Sequence, residues 1–404
     1  MVEFRVKYDL GEKETWVNIP REAVKSVVKP NPVEKVDLEE AIAGKLGRML
    51  EGKERVVALC DDYTRPTPAR YILRVIEKVF DGELEVIMAC GTHEKPKDPS
   101  LMERKFGEFL NRVIVHNAYR IEEHSFVGVT KFGTPVWVNK RVLTGFTLGV
   151  GWVVPEVDLG FTGGGTIILP GVSFLETINR HHSFFIAPQA TYSVVENNIS
   201  RLDIDEAADL AGLGGIVNVV PHPDGGVAAA VVGNHRSYLK LAETAVKTYR
   251  VEKPGKADLT IVAPGLTMDA SFIQASKALF TASEITKPGG IIIMVAECRA
   301  GFLWPELLDA YRKAVRDGDK PEDLLLKVVK REGEIVSLVW LYKLYDVFLR
   351  KKWRVKWFSK HLGGEVEEMG FERIDSLDKI VDRVVNRGGK VNIVTHGALV
   401  FFRE

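Results

Sequence analysis

Several short stretches of this 404-residue chain combine residue types suited to acid–base, anion-binding or metal chemistry. Gly163-Gly164-Gly165, flanked by Thr162 and Thr166, places three residues without a Cβ in a row. Such a run lets backbone N–H groups turn onto an anion, typically a phosphate, or simply supplies a loop that needs positive φ. A helix expected from about Ser173 ends on His181-His182. Asp61-Asp62-Tyr63-Thr64-Arg65 leads into Pro66. Its Asp61, Asp62 and Thr64 belong either to a binding crevice or to turn and capping chemistry. Arg65 is a cation at a strand end, a place that commonly receives a carboxylate or phosphate. Cys90-Gly91-Thr92-His93 is a second polar turn, and Gln274 and Lys277 share one face of an expected helix through their i, i+3 spacing. His116, His124, His222 and His235 stand alone and read as structural.

The elements that must position these residues alternate between strand and helix. VEFRVK (2–7) and ETWVN (14–18) alternate like a hairpin, and Asp37 is expected to cap a helix through Leu50. RVVALC (55–60) is nearly all apolar and predicts a buried parallel strand, followed by a helix with Ile72, Val75, Ile76 and Val79 inside. LEVIMA (84–89) is the next strand. In open α/β sheets, ligands sit beyond the carboxyl ends of strands, so the Asp61–Arg65 and Cys90–His93 turns should share one rim. Further strands are expected at 112–115, 134–138, 146–154 and 216–220, with helices at 206–214 and 237–249. Glu252-Lys253-Pro254-Gly255-Lys256 reads as a linker, giving domains 1–251 and 258–404 joined by 252–257. The second domain predicts strands at 258–263, 291–296 and 390–395, a helix at 271–282, and a helix-rich, basic-aromatic stretch over 320–360.

Composition excludes several classes. Lys+Arg and Asp+Glu are equal at 55 each, which argues against nucleic acid or an anionic membrane as partner. The opening residues lack an apolar signal-peptide region, and no apolar run reaches the ~18 residues of a membrane span. Cys60, Cys90 and Cys298 are widely spaced, which predicts neither a disulfide framework nor a cysteine zinc site, and a cytoplasmic location.

Taken together, DDYTRPTP (61–68), GTH (91–93), GTPVWVN (133–139), GFTGGGTIILPG (160–171), ETINRHH (176–182), ENN-x-x-R-x-D (196–203), Q-x-x-K (274–277) and GG-x-x-x-x-VAEC (289–298) resemble, in this order, the nickel-dependent lactate racemase family. The resemblance spans nearly the whole chain. It implies an α/β fold of two domains, with mixed and parallel sheets flanked by helices and the active site in the cleft between domains. It implies a nickel-pincer nucleotide made from a pyridinium mononucleotide. In the family, nickel is held by a carbon and two sulfurs of the cofactor and by one histidine, which matches His182. The family reaction moves the substrate α-hydride to the cofactor and back to the other face, with a proton acceptor on each side. His93 matches the first of the two family histidines, and the second position is Glu156. A family lysine that links covalently to the cofactor, preceded by an arginine, is replaced here by Thr166 after Gly165.

The resemblance also places Asp62, Thr64, Gly163, Gly164, Gly165 and Thr166 around the cofactor, and Arg65, Gln274 and Lys277 around the substrate. Trp340 matches either a further pocket residue or a core tryptophan. The expected function is a racemase or epimerase of 2-hydroxy acids larger than lactate, an isomerase holding its nickel cofactor non-covalently and relying on cofactor-synthesis enzymes. Two alternatives stay open: a non-catalytic protein binding a nucleotide or hydroxy-acid anion, and a nickel-independent lyase using Glu156 and His93.

Overall fold

The apolar run at residues 55–60 forms the strand Arg55–Asp61, buried along nearly its whole length and flanked on both sides by parallel partners, Glu83–Ala89 and Phe146–Trp152. A strand covered on both faces needs apolar residues at every position, which explains the absence of alternation. The computed structural model that carries this strand describes residues 2–403, and its chain separates into two units.

One unit is Pro32–Thr248. Its six-stranded sheet runs in the order Val227–Gly233, Gly215–Pro221, Phe146–Trp152, Arg55–Asp61, Glu83–Ala89, Val113–Val115. All neighbours are parallel except the edge pair of Gly215–Pro221 with Val227–Gly233. After Arg55–Asp61 the chain adds strands on one side, then returns to add Phe146–Trp152 and Gly215–Pro221 on the other. The order therefore reverses between Arg55–Asp61 and Phe146–Trp152, and a reversal point opens a crevice beyond the carboxyl ends of those two strands. The helix Ala69–Val79 buries Ile72, Leu73, Val75 and Ile76. Residues expected as a strand at 134–138 form Pro135–Asn139, which pairs antiparallel with His124–Val129 in a separate ribbon. The helix expected at 206–214 instead spans Ile199–Leu210, because Asn198 caps it by accepting from the Ser200 and Arg201 amides.

The second unit joins the residues up to Asn31 with those from Tyr249 onward. Its sheet is parallel throughout, in the order Glu372–Ile374, Arg354–Phe358, Thr286–Val295, Ala257–Val262, Val391–Val394, Val24–Val28. The sequence reading placed residues 1–251 in one domain, whereas here Val24–Val28 lies beside Val391–Val394. The reason is apolar: Val6, Val17 and Ile19 of the N-terminal hairpin share a core with Leu259, Ile261, Ile293 and Ile393. The expected helix at 271–282 is broken into Phe272–Ala275 and Ala278–Glu284. Within the stretch expected to be helix-rich, RVKWF forms the strand Arg354–Phe358, whose burial alternates with the period of two of a strand. Among the described residues no helix is long and apolar enough to cross a membrane.

A fragment ending at residue 251 separates the N-terminal hairpin from the core it shares with Leu259, Ile261 and Ile393. Limited proteolysis of such a fragment is expected to trim it to near Pro32, whereas the same residues in the full chain resist. Protection of residues 2–31 in the fragment would contradict this division.

Candidate active site

At the end of the central strand, Asp61 is buried, and burial pushes its carboxyl pKa up against the opposing effects of Lys105 and Thr67. Lys105 Nζ donates to Asp61 Oδ1 at 2.6 Å, and to the Arg65 and Thr67 carbonyls at 3.0 and 3.1 Å. Thr67 Oγ1 donates to Asp61 Oδ2 at 2.5 Å. The sequence reading missed Lys105, although a signal existed. It sits among Leu101, Met102 and Phe106 on the buried face of the helix Pro99–Phe106, where a lysine needs a partner.

The next residue, Asp62, is 3% exposed. Its Oδ1 accepts from the Thr64 amide at 2.8 Å and from Thr64 Oγ1 at 2.5 Å, while Oδ2 lies 2.7 Å from His93 Nδ1. Burial opposes ionisation of Asp62, but His93 and Arg65 outweigh it and hold the carboxyl well below its ordinary range. Both oxygens are thus engaged by protein groups. Through Oδ2, Asp62 holds the His93 ring. The Arg65 guanidinium lies over the Trp152 ring, 5.8 Å from its centroid, at the end of the neighbouring strand.

Beyond Trp152 the chain makes the small ribbon Pro155–Glu156 with Gly160–Phe161. Glu156 is 8% exposed and accepts from the Asp158 amide at 2.8 Å. The glycines that follow are engaged by the chain itself. The Gly163 amide donates to Thr166 Oγ1 at 3.1 Å, and the Gly164 amide to Asn218 Oδ1 at 2.8 Å. Thr166 Oγ1 also donates to the Gly163 carbonyl at 3.1 Å. A Cβ at Gly164 would come within 2.5 Å of the His235 carbonyl, and one at Gly165 within 2.8 Å of the Ile204 carbonyl. Close packing, with φ of +84° and +59° at Gly163 and Gly164, is what demands glycine there. Asn218 was missed by the sequence reading. An asparagine inside the apolar strand GIVNVVP is its signal, since a buried amide must find a partner.

The helix Leu175–His182 ends in two histidines with different surroundings. His181 is fully buried, and its Nδ1 lies 2.9 Å from Asp203 Oδ2. Asp203 also accepts from Thr130 Oγ1 at 2.7 Å and Thr134 Oγ1 at 3.1 Å. His182 is partly exposed, and its Nδ1 donates to the Ile178 carbonyl at 2.8 Å. That bond selects the tautomer whose Nε2 carries the lone pair. Loss of hydration, then the His181 ring, lowers the His182 pKa to about 3. Glu156, which opposes this lowering, and His93, which adds to it, also act electrostatically on His182. Among the described residues no group of three or more His, Cys, Asp or Glu side chains is arranged to enclose a metal ion.

In the second unit, Gln274 is buried, and Lys277 sits at the break between its two short helices. Trp340 is buried beside them, its Nε1 donating to Ser276 Oγ at 3.3 Å and its ring packing edge-on to Phe280 and Trp304. Trp340 is therefore a core residue of its unit that also adjoins the 274–277 segment.

Two α/β units, one with acid–base, cationic and imidazole groups around a sheet reversal point, define the class. The lactate racemase N-terminal domain matches residues 10–193, and the lactate racemase C-terminal domain matches residues 252–401. The chain belongs to the lactate racemase family and is an isomerase. It is 26% identical over its full length to the full-length lactate racemase of Thermoanaerobacterium thermosaccharolyticum. It is 28% identical to that of Lactiplantibacillus plantarum, with 87% of this chain and 85% of the relative covered. The fold matches the apoprotein structure of the Thermoanaerobacterium enzyme with a TM-score of 0.78 at 24% identity, covering both chains fully. A Thermotoga maritima protein matches with a TM-score of 0.72 at 17% identity, over 92% of this chain and all of the other.

Two outcomes follow from this geometry. Gly164→Ala forces a Cβ against the His235 carbonyl at positive φ, and is expected to cost about 2 kcal/mol or more in urea unfolding. A neutral loss would contradict the packing role of the glycines. His182 is expected to stay neutral, with its proton on Nδ1, between pH 5.5 and 8. Histidine ring nitrogen shifts by NMR read this directly, and titration near the ordinary histidine value would contradict it.

Proposed function

We propose that this protein racemises or epimerises 2-hydroxy acids larger than lactate, by hydride transfer to a nickel-pincer nucleotide held without a covalent link. The observation that carries the reading is His182, whose Nδ1–H is committed to the Ile178 carbonyl, together with His93 held by Asp62 at the end of the neighbouring strand and Arg65 over Trp152. The residues present fit such a cofactor. One neutral imidazole, its Nδ1–H committed to the Ile178 carbonyl, offers Nε2 as a metal ligand oriented by a backbone partner. When bound, the cofactor supplies the acceptor for the substrate α-hydride. Thr166 has no amine, and its hydroxyl is closed onto Gly163, so no amide-type tether forms.

The chain's own groups carry the proton chemistry. Asp62 holds the proton of His93 on Nδ1, which directs Nε2 as acceptor of the substrate hydroxyl proton. In the opposite direction of turnover the same ring supplies the proton as the hydroxyl reforms. Glu156 acts as the opposing acid–base group, positioned by the Asp158 amide. Its carboxylate also favours substrates whose additional hydroxyls donate to it, hence the preference for acids larger than lactate. Arg65, stacked on Trp152, neutralises the substrate carboxylate or the cofactor phosphate. Gln274, Lys277 and Trp340 are assigned to substrate binding by the family resemblance. Buried, free Cys60, Cys90 and Cys298 agree with a reducing, cytoplasmic setting, where cofactor-synthesis enzymes would supply the nucleotide.

The closure of Thr166 onto Gly163 favours one second reading, a non-catalytic protein that binds a nucleotide or hydroxy-acid anion. Thermal stabilisation by mononucleotides, with no change at the α-carbon of any 2-hydroxy acid offered, would select it.

Racemisation of a 2-deuterated hydroxy acid is expected to retain the label in both enantiomers, since a bound cofactor of this kind would supply a hydride acceptor shielded from solvent exchange. Loss of deuterium to solvent would contradict the hydride route. Asp62→Asn is expected to lower kcat by about 10²-fold or more through the wrong His93 tautomer, with little change in KM. An equal rise in KM at unchanged kcat would instead place Asp62 in substrate binding.

A further inference from the structure

We propose that Lys105 is the positioning residue of the anion site, pinning the Asp61–Thr67 turn from beneath so that Arg65 is aimed across Trp152. Lys105 leaves the helix Pro99–Phe106 and reaches the end of the central strand, where it is 6% exposed. Its ammonium has three donors, and three acceptors meet it: Asp61 Oδ1, the Arg65 carbonyl and the Thr67 carbonyl, at 2.6, 3.0 and 3.1 Å. Two of these belong to the backbone of the turn itself. One is the carbonyl of the residue whose side chain faces Trp152. The Arg65 amide in turn donates to the Asp62 carbonyl at 3.1 Å, which closes the turn on its other side. The backbone on either side of the Arg65 Cα is therefore fixed, one side by Lys105 and the other by Asp62.

The charge balance separates this role from that of Arg65. The Lys105 charge meets the buried carboxylate of Asp61, so Lys105 is a fixed internal strut, whereas the Arg65 guanidinium acts on Asp62 and lies over the Trp152 ring. A carboxylate or phosphate arriving at the reversal point meets Arg65 already oriented, with less side-chain and loop ordering left to complete on binding. The effect on anion affinity rests on the reading of Arg65 as an anion site. The effect on the turn does not.

The test separates positioning from plain stability. Lys105→Met leaves Asp61 buried without its cation and is expected to lower Tm sharply. The double variant Lys105→Met/Asp61→Asn removes both charges and is expected to recover most of that loss. It still lacks the bonds to the Arg65 and Thr67 carbonyls. Hydrogen exchange of the peptide spanning 61–68 in the double variant should therefore run about tenfold faster than in wild type, with the sheet unaffected. Calorimetric titration with L-lactate and with inorganic phosphate should weaken by about tenfold in parallel.

Wild-type exchange in the double variant would overturn the proposal, as would faster exchange with unchanged affinity for either anion. If wild type binds neither anion while the turn still loosens, the anion reading of Arg65 fails and the strut stands. Should the double variant not fold, the wild-type protein labelled with ¹⁵N-lysine gives the same answer. A slowly exchanging Lys105 ammonium signal supports the strut, and a rapidly exchanging one overturns it.

Discussion

The ion pair between Asp61 and Lys105 is the constraint on which the rest of the site depends. A carboxylate at the end of a fully buried central strand cannot remain charged without a close cation and further hydrogen bonds. Lys105 and Thr67 supply both, and in doing so they fix the shape of the turn from Asp61 to Thr67. Two consequences radiate from that turn. Asp62 is held with one oxygen on Thr64 and the other on His93, which sets the ring. Arg65 is laid over Trp152, at the end of the strand on the other side of the sheet reversal.

A second framework holds the other half of the site. The helix Ile199–Leu210 lies between the glycine loop and the histidine pair. Arg201 is fully buried and donates to the Phe161 and Gly163 carbonyls, while Asp203 grips His181. Two residues apart on a helix project about 200° from one another, so one helix reaches both neighbours. Arg201 is neutralised by Asp205 one turn along, and its guanidinium stacks on Tyr238. The two adjacent histidines thereby divide their work: His181 anchors on Asp203, and His182 commits only its Nδ1–H, to the Ile178 carbonyl.

Much of this was legible in the sequence. The central strand, the Asp37 cap and the N-terminal hairpin follow from local patterns, because each is decided by residues close in sequence. The rim position of Asp62, Arg65 and His93 followed from strand–turn–helix order alone. The place of the residues up to Asn31 in the second unit did not, because Val6, Val17 and Ile19 find their partners more than 200 residues away, and apolar burial carries no record of its partner. The glycine run shows the limit from the other direction. Three glycines signal a close approach, and residue types do not say whether a ligand or the chain itself approaches. Here it is the chain, through Asn218, the His235 carbonyl and the helix at Ile204. Lys105 and Asn218 were readable as polar residues on apolar faces, and both prove to be held by buried polar partners in this unit.

On the proposed function, a neutral His182 receives a nickel nucleotide which no covalent bond retains. Intact-protein mass spectrometry with nickel analysis, on protein produced beside cofactor-synthesis enzymes, tests this most directly. The expected result is one nickel and one nucleotide per chain under native conditions, both lost on denaturation and both absent from His182→Ala. A nucleotide mass that survives denaturation, or native protein without nickel, would contradict a non-covalent nickel site at His182.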